Sequence, residues 1–181
     1  MQQQNLGAKK SGTSPGRIIG WGGLGCLLLL PAVAMQFTDE VNWDETDFIV
    51  AGLIFSIVGG LVELAVRLSS NWFYRIGAFF AIFSGFVVVW SNLAIGMIGN
   101  ENNPINLLFI AVLLIALGGA ILGRFRNTAL ARAMLLAGLT QAAIGIGFGV
   151  LGADMRGGIF TLILSSLWFF SATLFHASRE T

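Results

Sequence analysis

Few side chains in this sequence could do chemistry, and Glu63 is the first of them. It sits inside an apolar stretch with Arg67 four residues on, so the two share one helix face with the acid N-terminal to the base, the favourable order for such a pair. Without a partner, an acid in such a stretch could exchange a proton or touch a solute. Paired with Arg67 it stays ionised and locks structure, and Arg75 is close enough in sequence to reach the same region. Asn92 and Gln141 are amides within two other apolar stretches. In lipid such amides bond across helices, at about 0.6 kcal/mol on average, or line a polar cavity for a small solute. Glu63, Arg67, Asn92 and Gln141 are therefore the candidate sites.

Other chemistries are poorly supplied. Asp39, Glu40, Asp44, Glu45 and Asp47 put five carboxylates into nine residues, enough oxygen to hold a hard cation. Their spacing lacks the glycine and the alternating ligands of a calcium loop, so the plainer reading is a solvated acidic loop. His176 is the only histidine, which excludes bis-histidine haem ligation and a His-rich zinc site within one chain. A triad would need His176 with Ser171 or Ser178, and no oxyanion-hole loop accompanies them. The single cysteine, Cys26, cannot form an internal disulfide and reads as a small apolar residue. No glycine-rich phosphate loop follows a strand. The expectation is a protein without catalysis, cofactor or metal.

The elements that must position these residues follow from composition. Of 181 residues, 56% are hydrophobic and 10% charged, and the mean hydropathy is +0.83. A globular chain carries about 25% charge, so the deficit excludes a soluble enzyme, a disordered linker, a disulfide framework and a nucleic-acid binder. Uncharged runs cover Ile18–Thr38, Phe48–Val62, Ile76–Asn100, Asn102–Gly123, Ala133–Ala153 and Gly157–Ser178. A helix of roughly 20 residues crosses a hydrocarbon core of about 30 Å. Five runs are long enough, and the second becomes so by extending through Glu63 to Leu68. The expected fold is an all-α integral membrane helical bundle of about six transmembrane helices, near 17–37, 48–68, 75–98, 105–123, 129–152 and 157–176.

On this ladder Lys9, Lys10, Arg17, Arg67, Arg75, Arg124, Arg126, Arg132 and Arg179 fall on one side and only Arg156 on the other. Basic residues near helix ends stay in the cytoplasm, so both termini are expected there. A five-span ladder would scatter the charges over both sides. Residues 1–16 read as a disordered cytoplasmic tail and 17–181 as a single transmembrane helical domain. Ala32-Val33-Ala34 fits a signal-peptidase pattern, but the preceding run exceeds the usual 7–15 residues of a signal core, so the first helix is expected to remain uncleaved. Pro31 should kink or end that helix, and Pro104 should open the fourth. Trp21, Trp72, Trp43 and Trp90 map near the interfaces, whereas Trp168 is deeper.

The 24 glycines include small residues at helical spacing: Gly52, Ser56 and Gly60, then Gly119 and Gly123, then Gly145 and Gly149. Such faces let helices approach closely, either within the chain or against a partner. Gly59-Gly60 with Arg67 matches Gly118-Gly119 with Arg126 at an offset of 59 residues, a weak parallel repeat of a two-helix unit.

The stretches Leu30–Trp43 and Asn92–Pro104, together with Gln141, resemble a family of small hypothetical integral membrane proteins of proteobacteria. The resemblance covers most of the chain after the tail. It implies a bacterial inner membrane and six or so spans, and it carries over no functional residue. The asparagine-rich turn before Pro104 is either an exposed turn or a recognition surface. The leading expectation is a non-enzymatic multi-pass membrane protein acting through helix–helix contacts, as an accessory, assembly or stress-related factor. Its partners would be the lipid bilayer and another membrane protein or a second copy. The alternative is a small-solute or ion permease or channel, working as an oligomer.

Overall fold

The computed structural model of the protein describes residues 15–152 and 154–179. They form α1 (Pro15–Ala34), α2 (Glu45–Leu68), α3 (Trp72–Ala94), a 3-10 turn (Pro104–Leu107), α4 (Leu108–Leu122), α5 (Asn127–Ile144), a π-helical segment (Gly145–Val150) and α6 (Met155–Ala177). No strand occurs among the described residues. Counting the 3-10 turn with α4 and the π segment with α5, six helices are long and apolar enough to cross a membrane. The tail read over 1–16 lies outside the described residues, except Pro15 and Gly16, which already belong to α1. The chain divides into two compact units between Gly59 and Gly60, within α2.

In the first unit, α1 and the first part of α2 meet where small residues allow it. A Cβ at Gly59 would lie 2.9 Å from side-chain carbons of both Leu24 and Trp21, and one at Gly52 would lie 3.7 Å from Leu28. Pro31 sits inside α1, close to its end. Helix α2 starts three residues before the apolar run because two acids cap it. The Asp47 N–H donates to Asp44 Oδ1 and the Asp44 N–H donates to Asp47 Oδ2, both at 3.0 Å, a reciprocal box that satisfies donors no helix turn can reach. Two of the five clustered carboxylates are thereby committed to helix capping.

In the second unit α6 packs against α3 and α5, and α4 packs against α5. Phe109, Val112, Ala137, Trp168 and Phe175 form the centre of its core. Ser171 Oγ donates to the Gly77 carbonyl at 2.7 Å, tying α6 to α3. The Asn127 amide donates to the Ser178 carbonyl at 2.9 Å, tying the start of α5 to the end of α6. Helix α3 begins before its apolar run, with the Asn71 side chain accepting from the Tyr74 N–H at 3.1 Å. It also ends at Ala94, four residues short of the expected end, because Gly96 and Gly99 adopt positive φ and turn the chain back. The returning loop buries Met97 and Ile98.

Where α5 should have run on to 152, it widens after Ile144 into the π segment, and the Leu151 N–H donates to Ile146, five residues back. Alternating Gly145, Gly147 and Gly149 hold the α-helix weakly there. The widened turn lies against the first turn of α6, where Gly149 meets Gly158 backbone to backbone. A Cβ at Gly158 would lie 2.6 Å from Val150 N and 2.8 Å from Gly149 C, with no flexible side chain able to yield. Gly158→Ala is therefore expected to destabilise the protein by about 1–3 kcal/mol through overpacking. Gly118→Ala, where a Cβ meets open space, should instead stabilise by about 1 kcal/mol through helix propensity. Thermal melting of both variants in one detergent checks the contrast, and equal shifts would refute the backbone contact.

Candidate functional site

The four residues singled out in the sequence occupy three separate bonding arrangements, all within the second unit. Arg67 Nε donates to Glu63 Oε1 at 2.6 Å on one face of α2, as the four-residue spacing implies. The Glu63 side chain is 19% exposed and that of Arg67 64%, so the pair sits half in and half out of the packed unit. Arg75 takes a different role from the one its nearness suggested. Its Nε donates to the Ser69 carbonyl at 2.8 Å and its Nη2 to that of Val66 at 3.1 Å, closing the end of α2 against the start of α3. A cation on the final carbonyls of a helix also suits the negative end of the helix dipole.

Asn92 bonds within its own helix. Its Nδ2 donates to the Val88 carbonyl at 2.7 Å, while Oδ1 is buried with no hydrogen-bond partner among the described residues. Neither Glu63 nor Gln141 is bonded to it.

Gln141 is the most enclosed of the four, with no exposed surface. Its Oε1 accepts from Trp168 Nε1 at 2.8 Å and its Nε2 donates to the Thr161 carbonyl at 3.2 Å, both across to α6. Trp168 and Thr161 are themselves buried. Gln141 can face α6 closely because the glycines on its own face permit it. A Cβ at Gly138 would meet Phe169 and Trp168, and one at Gly145 would meet Thr161. The arrangement is suited to clamping two helices, and it offers no ionisable group for proton or group transfer. Thr161 Oγ1 is a second buried oxygen without a hydrogen-bond partner among the described residues.

Sequence reasoning missed a second polar cluster, at the opposite end of α3 from Arg75. Asn106 is buried, and its Oδ1 accepts from the N–H groups of Met97 and Ile98 at 3.1 and 2.9 Å, while its Nδ2 donates to the Asn100 carbonyl at 2.7 Å. Asp154 caps α6 through the Gly157 N–H at 3.0 Å and also accepts from the Gly99 N–H at 2.7 Å, so one carboxylate joins the α3–α4 loop to α6. The Gly157 and Gly99 donors, in that order, hold the Asp154 carboxyl below the usual aspartate range, and Arg156 adds to this. The available signal was an aspartate just ahead of the apolar run that forms α6, the pattern of a helix N-cap. Its second bond, to a residue 55 positions away, left no local trace.

No family model matches the sequence, and neither a curated protein nor a solved structure matches it.

Gln141→Leu strands the buried Trp168 N–H and is expected to cost about 1–2 kcal/mol. Combined with Trp168→Phe in a double-mutant cycle it should show about 1 kcal/mol of coupling, and strictly additive losses would remove the bond from consideration. For Asp154 the depressed folded-state value means that its contribution is fully present above the unfolded value of about 3.9. The contribution is lost as pH falls through the folded value. A melting series from neutral to acid pH should show this component in the natural protein and lack it in Asp154→Asn, whose amide offers a single acceptor oxygen.

Proposed function

We propose that the protein is a multi-pass protein of the bacterial inner membrane, with both termini cytoplasmic, that acts without catalysis. It works through contacts between its helices and those of another membrane protein or a second copy, as an accessory, assembly or stress-related factor. The lipid bilayer is its surrounding solvent. Large apolar side chains on the outside of the helices support the membrane setting: Leu122 is 86% exposed, and Leu114 and Ile163 are more than half exposed. Patches of that extent are unusual for a soluble monomer. The distribution of arginines between helix ends supports the orientation, and the resemblance to small proteobacterial membrane proteins supports the compartment.

The observation that carries the non-catalytic, contact-based reading is the closed state of Gln141. An amide at this depth either conducts or binds, in which case some of it faces a path, or it holds helices together. Its exposure is zero and both its oxygen and its nitrogen are bonded to α6. A second reading, a small-solute or ion permease or channel, draws on Asn92 Oδ1 and Thr161 Oγ1, buried polar atoms that a permeating solute could satisfy.

Full-length protein reconstituted into liposomes discriminates between the two. Fluxes of protons, potassium and glycerol are expected to equal those of protein-free vesicles. A flux abolished by Asn92→Leu would replace the contact reading with the permease. In native membranes, photo-cross-linkers at exposed positions of α4 are expected to give discrete adducts, and their complete absence would count against a contact-based role.

A further inference from the structure

Between Asn102 and Ala153 the sequence contains no acid, and its only charges are Arg124, Arg126 and Arg132. The fold brings all three to the rim of one open hollow of about 400 Å³ at the α4–α5 turn, together with Thr128 and Leu122. None of the three guanidinium groups has a hydrogen bond or ion pair among the described residues. Arg179, by contrast, contacts the His176 ring. Three like charges around one hollow repel one another, and that cost falls when an anion enters.

The backbone adds donors and few acceptors. The Gly119, Ala120 and Ile121 carbonyls at the end of α4 are already taken by the N–H groups of Gly123, Phe125 and Arg124. Helix α5 begins with no side-chain cap and no acid in its first turn. Its Asn127 and Thr128 N–H groups have no acceptor among the described residues. The hollow therefore presents forked guanidinium donors, a hydroxyl and the positive end of an 18-residue helix, the donor set that suits a phosphate group.

We infer that this hollow binds the phosphate of an anionic phospholipid headgroup. The choice of a lipid over a free phosphate rests on its apolar wall. Leu122 lines the hollow and is almost fully exposed, and Ile121, Leu117 and Leu114 continue the exposed apolar surface down α4. A headgroup in the hollow thus lays its acyl chains along that surface. Basic hollows between helices on the cytoplasmic face are where acidic lipid headgroups bind. The inference rests on the membrane setting proposed above.

The test is thermal melting of the full chain in neutral detergent, titrated with dioleoylphosphatidylglycerol, with dioleoylphosphatidylcholine, or with inorganic phosphate at matched ionic strength. Phosphatidylglycerol is expected to raise the melting temperature saturably, and the other two are expected to leave it unchanged. Arg126→Gln combined with Arg132→Gln should weaken the apparent lipid affinity about 30-fold. The corresponding lysine pair should retain part of it, and Arg156→Gln should bind like the natural chain. Both exchanged arginines are exposed and their removal relieves the mutual repulsion, so the lipid-free melting point of the glutamine pair should equal or slightly exceed that of the natural protein, which separates lost binding from lost folding. An equal response to phosphatidylcholine overturns the inference, as does an unchanged phosphatidylglycerol response in the glutamine pair. An equal response to inorganic phosphate makes this a soluble-phosphate site and overturns the lipid. Release of the chain from membranes by alkaline carbonate would remove the membrane premise itself, whereas retention with lipid-indifferent melting would overturn the headgroup site alone.

Discussion

The close approach of the α5 end to the α6 start, at Gly149 and Gly158, is the constraint on which the second unit depends. With two glycines facing each other, the backbones meet without a side chain between them. That contact sets the register of the two helices along the rest of their length. Gly145 then falls against Thr161, Gln141 against Thr161 and Trp168, and Gly138 against Trp168 and Phe169. Only at such separation can the Gln141 amide reach a backbone carbonyl on α6. The π turn is part of the same solution, because widening the helix places Gly149 beside Gly158.

The same contact governs the polar cluster at that end of the unit. Asp154 is the cap of α6, so fixing the first turn of α6 also fixes the carboxylate that receives the Gly99 N–H. The α3–α4 loop can then fold inward over Met97 and Ile98, with Asn106 satisfying the backbone donors that this burial would otherwise strand. At the other end, side chains again hold helix termini: Arg75 closes α2, and Asn127 joins α5 to α6. Polar side chains of this apolar chain are thus spent on helix ends and on interhelical bonds, those of Gln141 to α6 and of Ser171 to α3. The arginines of the α4–α5 turn stand apart because no acceptor among the described residues claims their guanidinium groups.

Local interactions were legible in the sequence to the extent that they close within one or two helical turns. The Glu63–Arg67 pair follows from a spacing of four. The capping roles of Asn71, and of Asp44 with Asp47, were within reach of the same reasoning, since both sit just ahead of an apolar run; counting uncharged residues alone passed over them. The repeat at an offset of 59 residues has no structural counterpart at its arginines. Arg67 lies in the last turn of α2, whereas its counterpart Arg126 lies beyond α4, as the cap position of α5, so matching letters occupy different structural positions.

The sequence by itself determined the class of the fold. Six long apolar stretches in a chain with 10% charged residues leave the backbone few ways to satisfy its own hydrogen bonds except as helices. It also determined which residues were scarce enough to matter. Only the tertiary structure decided what each does: that Gln141 bonds Trp168, that Asn92 turns back on its own helix, that Asp154 reaches a loop 55 residues away. The reason is physical. Helix formation depends on hydrogen bonds within four residues and can be read locally, whereas the partner of a buried polar group depends on helix register. In this chain that register is set by a backbone contact between two glycines, residues with no side chain to announce it.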